Sequence, residues 1–284
     1  MVIKEAITWA RAVGLEKSDA EILLLHSLGK NTSDKAFLIA HDQDSLSEDQ
    51  ESQFAQLAKR SLLNEPVAYI LGRKEFYGLN FKVTPATLIP RPDTETLVDW
   101  ALESLKKLED PTKVPTVLDL GTGSGCIAIA IKHHRFDCRV WATDIKEDTL
   151  GVAFHNSKEL KTEICFLQGS WYEALARLGL EASFDLIVSN PPYIQAQDPH
   201  LKALSFEPIE ALVAKQDGLG ELGVIAAGAL KYLRPGGWLL MEHGFQQGRD
   251  VQALLASCGL TNVQSRSDIA GICRCTGGQR PKVE

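Results

Sequence analysis

From about residue 116 the chain alternates strand-like and helix-like segments, and this rhythm constrains the fold more than any other feature. TVLDL (116–120) reads as a buried strand, followed by GTGSG and the helix CIAIAIKHH. RVWATD (139–144), ICFLQG (164–169), FDLIVSN (184–190) and GGWLLMEHG (236–244) read as further strands. The helical patterns DTLGVAFHNSKEL, about 221–233, and GRDVQALLASCG lie among them. NVQSRSD and GICRCTG close the series, near enough in sequence for an antiparallel pair. Alternating βα units of this kind predict a mainly parallel sheet with helices on both faces.

Residues 1–73 have a different pattern. Ile3, Ile7, Ala10 and Val13 recur at helical spacing, and ILLLHSL (22–28) and ESQFAQLAKRSLL (51–63) are also helix-like. Ser47 with Gln50 three residues on has the form of a capping box. The segment reads as a small helical bundle without chemistry of its own. Between the two regions lies EFYGLNFKVTPATLIPRPDTE (75–95). Leu79, Phe81 and Val83 alternate like a strand, and Pro85, Pro90 and Pro92 then break any regular element. This predicts a hairpin or extended linker over 74–93, with Asp93 capping a helix over 94–108. The 284 residues therefore divide into a helical domain (1–73), the linker, and an α/β domain (94–284).

The glycine loop LDLGTGSG sits between a strand and its helix, where glycines let the backbone turn sharply and approach a ligand. Its spacing is G-x-G-x-G, at Gly121, Gly123 and Gly125, and Cys126 stands where a dinucleotide fingerprint needs glycine. Asp144, ending the second strand, is placed to accept from both ribose hydroxyls. Asp119, just before the loop, suits a cationic amino-acid moiety better than a pyrophosphate. S-adenosylmethionine, with an ammonium and a sulfonium and no phosphate, fits this charge.

FDLIVSNPPY puts Asn190 at the C-terminal end of a buried strand, outside which ligands bind in open α/β sheets. Consecutive prolines remove backbone donors and leave carbonyls. The Asn190 side-chain carbonyl and the Pro191 main-chain carbonyl are two acceptors for the two N–H bonds of a planar –NH₂ group, and Tyr193 offers a face for it. Such a nitrogen is a poor nucleophile because its lone pair is delocalised. Two aimed acceptors orient that lone pair and stabilise positive charge developing on nitrogen.

At these residues the chain resembles S-adenosylmethionine-dependent methyltransferases acting on –NH₂ groups, and within them the bacterial release-factor glutamine methyltransferases of the HemK or PrmC type. The motifs are FYGLNFKVTPATLIPRPDTE, VLDLGTGSGCIAIA, ATDI, QGSWYEAL, IVSNPPYI, FEPIEAL with DGL, and LRPGGWLLMEHGFQQG. The resemblance implies a Rossmann-like seven-stranded sheet with an N-terminal helical bundle. It implies that Gly121, Thr122, Gly123, Ser124 and Gly125 line the methionine part of S-adenosylmethionine, that Asp144 holds the ribose, and that Trp171 lies near the adenine. Asn190 would touch both cofactor and substrate, and Asn190, Pro191, Pro192 and Tyr193 would hold the substrate glutamine. The implied substrate is the glutamine of a Gly-Gly-Gln loop in peptide-chain release factors, whose methylation modulates termination. S-adenosylhomocysteine would be the co-product. The implied enzyme is a cytoplasmic monomer with no nucleic-acid substrate and no membrane contact, and its helical domain docks the release factor. Glu207 and Pro208 match a family pattern without an assignable role. Glu242 is placed at the pocket floor.

A nucleic-acid adenine methyltransferase shares the NPPY logic, but it must flip a base and hold phosphates. The net charge of −7 and the absence of a basic stripe oppose it. A ribosomal-protein glutamine is a closer alternative substrate, and a non-enzymatic binding module is a third reading, which the loop, Asp144 and NPPY all oppose. The N-terminus lacks the apolar core of a signal peptide. The six cysteines are scattered without a C-x-x-C and read as core or neutral residues, so no metal site is predicted. His133 and His134 read as the last turn of a helix. Gly277–Gly278–Gln279 is itself a Gly-Gly-Gln. It reads as a flexible terminal turn, with self-methylation of Gln279 as the alternative.

Overall fold

The computed structural model describes residues 1–107, 113–176 and 178–282. The backbone gathers into two compact units, Met1–Arg73 and Lys74–Glu284. Among the described residues no helix is long and apolar enough to cross a membrane.

The first unit is a bundle of five helices: α1 (Ile3–Ala12), α2 (Lys17–Ser27), α3 (Lys35–Ala40), α4 (Glu48–Leu62) and α5 (Val67–Leu71). Its core is built on Leu23, Leu24 and Leu25 of α2, Phe54 and Ala58 of α4, and Ile3, Ala6 and Ala10 of α1. The α1 face thus runs through residues 3, 6 and 10. Val13 lies outside it, because it is the residue after the last turn and points to solvent. At the start of α4 the capping box forms as expected: the Ser47 hydroxyl accepts from Gln50 N, and the Gln50 side chain accepts from Ser47 N.

The second unit opens with a hairpin of β1 (Arg73–Phe76) and β2 (Leu79–Lys82). A 3₁₀ turn (Pro92–Thr94) then leads into α6 (Glu95–Lys106). Asp93 does not cap this helix. It lies inside the turn and pairs instead with Arg274 at 2.8 Å. Leu108, the last residue of the expected helix, is outside the described residues.

The alternation that follows is β3 (Thr116–Leu120), α7 (Cys126–His134), β4 (Arg139–Asp144), α8 (Glu147–Glu159), β5 (Ile164–Gln168), β6 (Phe184–Ser189), α9 (Gly220–Tyr232), β7 (Leu233–Glu242), α10 (Gly248–Ser257), β8 (Thr261–Ser267) and β9 (Cys273–Gln279). The seven strands from β3 onward form one sheet in the order β5-β4-β3-β6-β7-β9-β8. The strands from β5 to β7 are parallel, and β9 runs antiparallel to both neighbours. This is the Rossmann-like α/β architecture expected.

Packing on both faces explains why β3 is buried throughout. Val117 faces a core with Leu97 and Trp100 of α6 and Ile127 and Ile131 of α7, while Leu118 and Leu120 face Leu222 and Ile225 of α9 and Leu255 of α10. The strand order reverses between β3 and β6, so a crevice opens beyond their C-terminal ends.

The Gly-Gly-Gln of the tail is not a flexible turn. Gly277 and Gly278 are buried in β9, between β7 and β8. A Cβ on Gly277 would come within 2.5 Å of Leu240 Cδ2 and 2.9 Å of the Trp100 ring, so close packing explains the glycine. The Gln279 amide donates to Gly236 O at 2.7 Å and its Oε1 accepts from Asn262 at 2.8 Å. A side chain so engaged is not presented for self-methylation.

Candidate active site

The site is assembled at the reversal point of the sheet. Leu120 of β3 pairs with Ser189 of β6, and the Ser189 hydroxyl donates to Leu120 O at 2.7 Å. The next residues on each strand, Gly121 and Asn190, therefore leave adjacent strand ends. The glycine loop and the NPPY segment start side by side.

The loop is held mainly by backbone. Gly121 N and Thr122 N both donate to Thr143 O at 2.9 Å, and Gly125 N donates to Thr122 O. Gly121, Gly123 and Gly125 all have left-handed φ, between +58° and +82°. A Cβ on Gly125 would also meet Ile129 Cδ1 at 2.9 Å and Ala153 Cβ at 3.2 Å. Asn156 of α8 supports the loop from outside, donating to Ser124 O and to Lys82 O while accepting from Lys82 N.

Two carboxylates flank the loop. Asp144 Oδ2 accepts from Gly123 N at 3.0 Å and Oδ1 accepts from Lys146 N, and burial raises its pKa. Asp119 does not stand open to a ligand. It is fully buried beneath the loop, where Oδ2 accepts from the Thr122 hydroxyl at 2.7 Å. Burial pushes this carboxyl up to about 7, against the Thr122 hydrogen bond. Trp171 lies over the loop: its ring is 3.0 Å from the position of a Cβ on Gly121. Its backbone has φ +46°, a costly conformation for a bulky residue. A hydrogen bond from Nε1 to Glu221 at 3.0 Å holds the ring there.

The NPPY segment is held by side chains from far along the chain. The Asn190 amide donates through Nδ2 to Thr94 Oγ1 at 3.1 Å. The Tyr193 hydroxyl donates to Glu242 Oε1 at 3.1 Å, and Tyr193 O accepts from Gln247. Glu242 is buried at the end of β7. Burial pushes its carboxyl up to about 7, opposed by the hydroxyls of Thr94 and Tyr193. Burial also raises the Tyr193 phenol strongly, so it stays a neutral donor.

A cleft of about 80 Å³ lies against this segment, lined by Leu88, Arg91, Asn190, Pro191, Tyr193 and Leu204 among others. Ile194 N donates to Leu212 O, and Ala214 N donates to Ile194 O, so the stretch after NPPY folds back beside it. Glu207, which has no assignable role in the sequence pattern, ties that stretch to the proline-rich linker. Its buried carboxylate accepts from Ile89 N at 3.0 Å and from Arg91. Thr94, Glu221 and Gln247 are functional neighbours that sequence reasoning did not single out.

Four buried polar atoms among the described residues have no hydrogen-bond partner of full geometry: Asp119 Oδ1, Ser124 Oγ, Thr143 Oγ1 and Glu242 Oε2. All belong to the loop or to the C-terminal ends of β3, β4 and β7. No lysine or arginine stands in the loop, and Asp119 and Asp144 flank it. A left-handed glycine cradle with carboxylates and unmet polar atoms fits S-adenosylmethionine. Among the described residues no group of three or more His, Cys, Asp or Glu side chains could hold a metal ion.

Comparison with known proteins covers both units. The PrmC N-terminal domain family model matches residues 5–72, and the methyltransferase small domain model matches residues 98–253. The release factor glutamine methyltransferase of Bordetella pertussis is 46% identical over 267 residues, spanning 93% of this chain and 95% of the relative. That of Salmonella typhimurium is 42% identical over 280 residues, spanning 98% and 97%. Among solved structures, the N-terminal domain of human METTL16 in complex with SAH superposes with a TM-score of 0.52. It covers 78% of this chain and 83% of that one at 17% identity, which is a likeness of fold alone.

Proposed function

This chain belongs to the release factor glutamine methyltransferases, and we propose that it uses Asn190, Pro191, Pro192 and Tyr193 to present the glutamine amide and the glycine loop to hold the methyl donor. It is a methyltransferase that acts on the glutamine of a release factor. The glutamine assigned as its target is that of the Gly-Gly-Gln motif.

One observation carries the site assignment: the Asn190 amide spends its NH₂ on Thr94, which turns its oxygen away from that partner at the mouth of the strand-end crevice. Oδ1 and the Pro191 carbonyl then take the two N–H bonds of the substrate amide. Gripping both bonds twists the nitrogen lone pair out of conjugation and aims it. The same two oxygens stabilise the positive charge that develops on nitrogen as the new N–C bond forms. One N–H proton leaves for solvent afterwards, so no strong base is required. Tyr193, fixed by Glu242, supplies the wall on which the planar amide rests.

S-adenosylmethionine, when bound, would supply an electrophilic methyl carbon, whose bond to sulfur would break as the N–C bond forms and leave S-adenosylhomocysteine. Gly121 to Gly125 are assigned to its amino-acid part, Asp144 to the ribose hydroxyls, and Trp171 to the adenine side. Asp119, buried beneath the loop, acts on the ligand only through the Thr122 hydroxyl that it anchors. The helical unit is assigned to docking the release factor, and the protein is read as a cytoplasmic monomer that meets its substrate there.

The test is mass spectrometry of a purified release factor incubated with this protein and S-adenosylmethionine. One methyl on the glutamine of Gly-Gly-Gln is expected. An unmodified release factor, with label from the donor appearing in DNA or RNA, would overturn the reading.

A further inference from the structure

Side chains from two separate stretches meet behind NPPY and join its two ends. Asn190 Nδ2 donates to Thr94 Oγ1, and the Tyr193 hydroxyl donates to Glu242 Oε1, each at 3.1 Å. The Thr94 hydroxyl also lies against the Glu242 carboxylate and stabilises its charged form. Thr94 closes the 3₁₀ turn that Pro92 begins, and Glu242 ends β7. Both are almost wholly buried, at 2% and 1% exposure, so bulk water does not compete for these bonds.

Donor and acceptor chemistry gives this chain a direction. An ionised carboxylate only accepts. Tyr193 gives its proton to Glu242 Oε1. The second oxygen, Oε2, has no partner of full geometry, so the Thr94 hydroxyl beside the carboxylate turns its proton to that side, and its lone pairs are left facing Asn190. Only the NH₂ end of the asparagine amide satisfies those lone pairs, so its oxygen must face the other way. An Asn190 turned over would offer NH₂ to the NH₂ of a substrate, and two donors repel.

We propose that Thr94 and Glu242 are positioning residues that fix which way the Asn190 amide is turned, so that an oxygen rather than an NH₂ meets the substrate amide. This rests on the reading of Asn190 as the acceptor for a glutamine amide. It also gives the PRPDT stretch of the linker a role: the prolines set the turn that aims one threonine hydroxyl.

The arrangement depends on the charge of Glu242. Protonation makes that carboxyl a donor, frees the Thr94 hydroxyl to rotate, and removes the preference at Asn190. The charged and titratable groups that bear on Glu242 are Asp93, Arg274 and the Tyr193 phenol, with Cys126 and Cys275 nearby. Burial places its titration at about 7. The oriented form is therefore lost as pH falls through that region.

The experiment compares full-length wild type with Thr94→Val, Thr94→Ser and Glu242→Gln. The first readout needs no substrate: the side-chain NH₂ resonances of Asn190 in a nitrogen–proton correlation spectrum, identified by their absence in Asn190→Asp. They should shift with pH near neutrality in the wild type, stay flat in Glu242→Gln, and move in Thr94→Val. The second readout is methyl transfer to a release factor. Thr94→Val should lower kcat about 30-fold, with the Kd for S-adenosylmethionine within about twofold. Thr94→Ser should recover most of that loss, and Glu242→Gln should flatten the acid limb of the kcat–pH profile.

Wild-type kcat in Thr94→Val, or Asn190 resonances indifferent to pH and to Glu242→Gln, would overturn the proposal. A wild type that fails to methylate release factor would instead overturn the functional reading, while the resonances still decide the orientation. Should Thr94→Val or Glu242→Gln not fold, the wild-type pH titration and Thr94→Ser remain decisive: no titration, or a serine variant as impaired as a deletion of the hydroxyl, sinks it.

Discussion

The two halves of the site are built in opposite ways. The glycine loop is held chiefly by backbone, its own and Thr143 O on the neighbouring strand, with Asp119, Asp144 and Asn156 bonded at its edges. The NPPY segment is held by side chains: Thr94 is 96 residues away in sequence, Glu242 is 49 residues from Tyr193, and Gln247 is 54. The first half is a local conformation that glycines permit. The second is a convergence that only the finished sheet provides. The difference teaches that the donor half can be pre-formed and tolerant of its surroundings, whereas the half that handles the reacting amide depends on the whole second unit.

The sharpest way to test that contrast is Asn190→Ala. It removes the acceptor without touching the loop. Methyl transfer should fall by about three orders of magnitude, on the scale of losing one aimed group in a preorganised site, while calorimetric affinity for S-adenosylmethionine changes little. A loss confined to donor affinity would merge the two halves and break the comparison.

The buried carboxylates give the next largest effect. Asp119 titrates at 3.8 when unfolded and is pushed up to about 7 when folded, so the folded state binds its proton more tightly. Its stabilising contribution is complete below 3.8 and is lost as pH rises through about 7. That difference corresponds to roughly 4 kcal/mol. Denaturant unfolding at pH 5 and pH 8 should show the wild type losing stability on going up, and Asp119→Asn, neutral throughout, losing less. Equal slopes in the two proteins would show that Asp119 keeps its charge in the fold.

How much of this could be read from the chain follows the same division. The strands TVLDL and RVWATD and the helix CIAIAIKHH fall where their patterns put them, because apolar periodicity and an adjacent glycine loop are local signals. The loop, Asp144 and NPPY are legible as types of residue at telling places, and Trp171 enters only through the family resemblance. Thr94 is not legible, because it stands among prolines that read only as a break. Asp93 reads as a cap in the sequence, since nothing nearby announces Arg274 as its partner. The Gly-Gly-Gln tail misled for the opposite reason: its glycines answer to Leu240 and Trp100 across the sheet, not to a turn.

Gly125→Ala tests the donor half directly. The new Cβ would sit 2.9 Å from Ile129 Cδ1 in a residue with φ +82°. A destabilisation of about 1–3 kcal/mol is expected, together with weaker S-adenosylmethionine binding, and kcat at saturating donor should stay closer to wild type than in Asn190→Ala. An unaltered unfolding midpoint would mean the loop relaxes around the methyl group and is less fixed than its backbone hydrogen bonds indicate.

The smallest expected effect lies at the edge of the amide half. Glu207 is buried and joins two segments 118 residues apart, accepting from Ile89 N and from Arg91. It orders the stretch after NPPY against the linker that also carries Thr94, but it touches neither Asn190 nor Tyr193 among the described contacts. Glu207→Gln keeps the shape and one acceptor oxygen while weakening the charged bond to Arg91. Its cost should be about 1–2 kcal/mol in stability, and it should appear in methyl transfer as a raised KM for the release factor with kcat nearly held. If kcat fell as far as in Thr94→Val, the linker and the NPPY segment would be one mechanical unit. The orientation of the asparagine would then depend on the clamp at Glu207 as much as on the hydroxyl beside it.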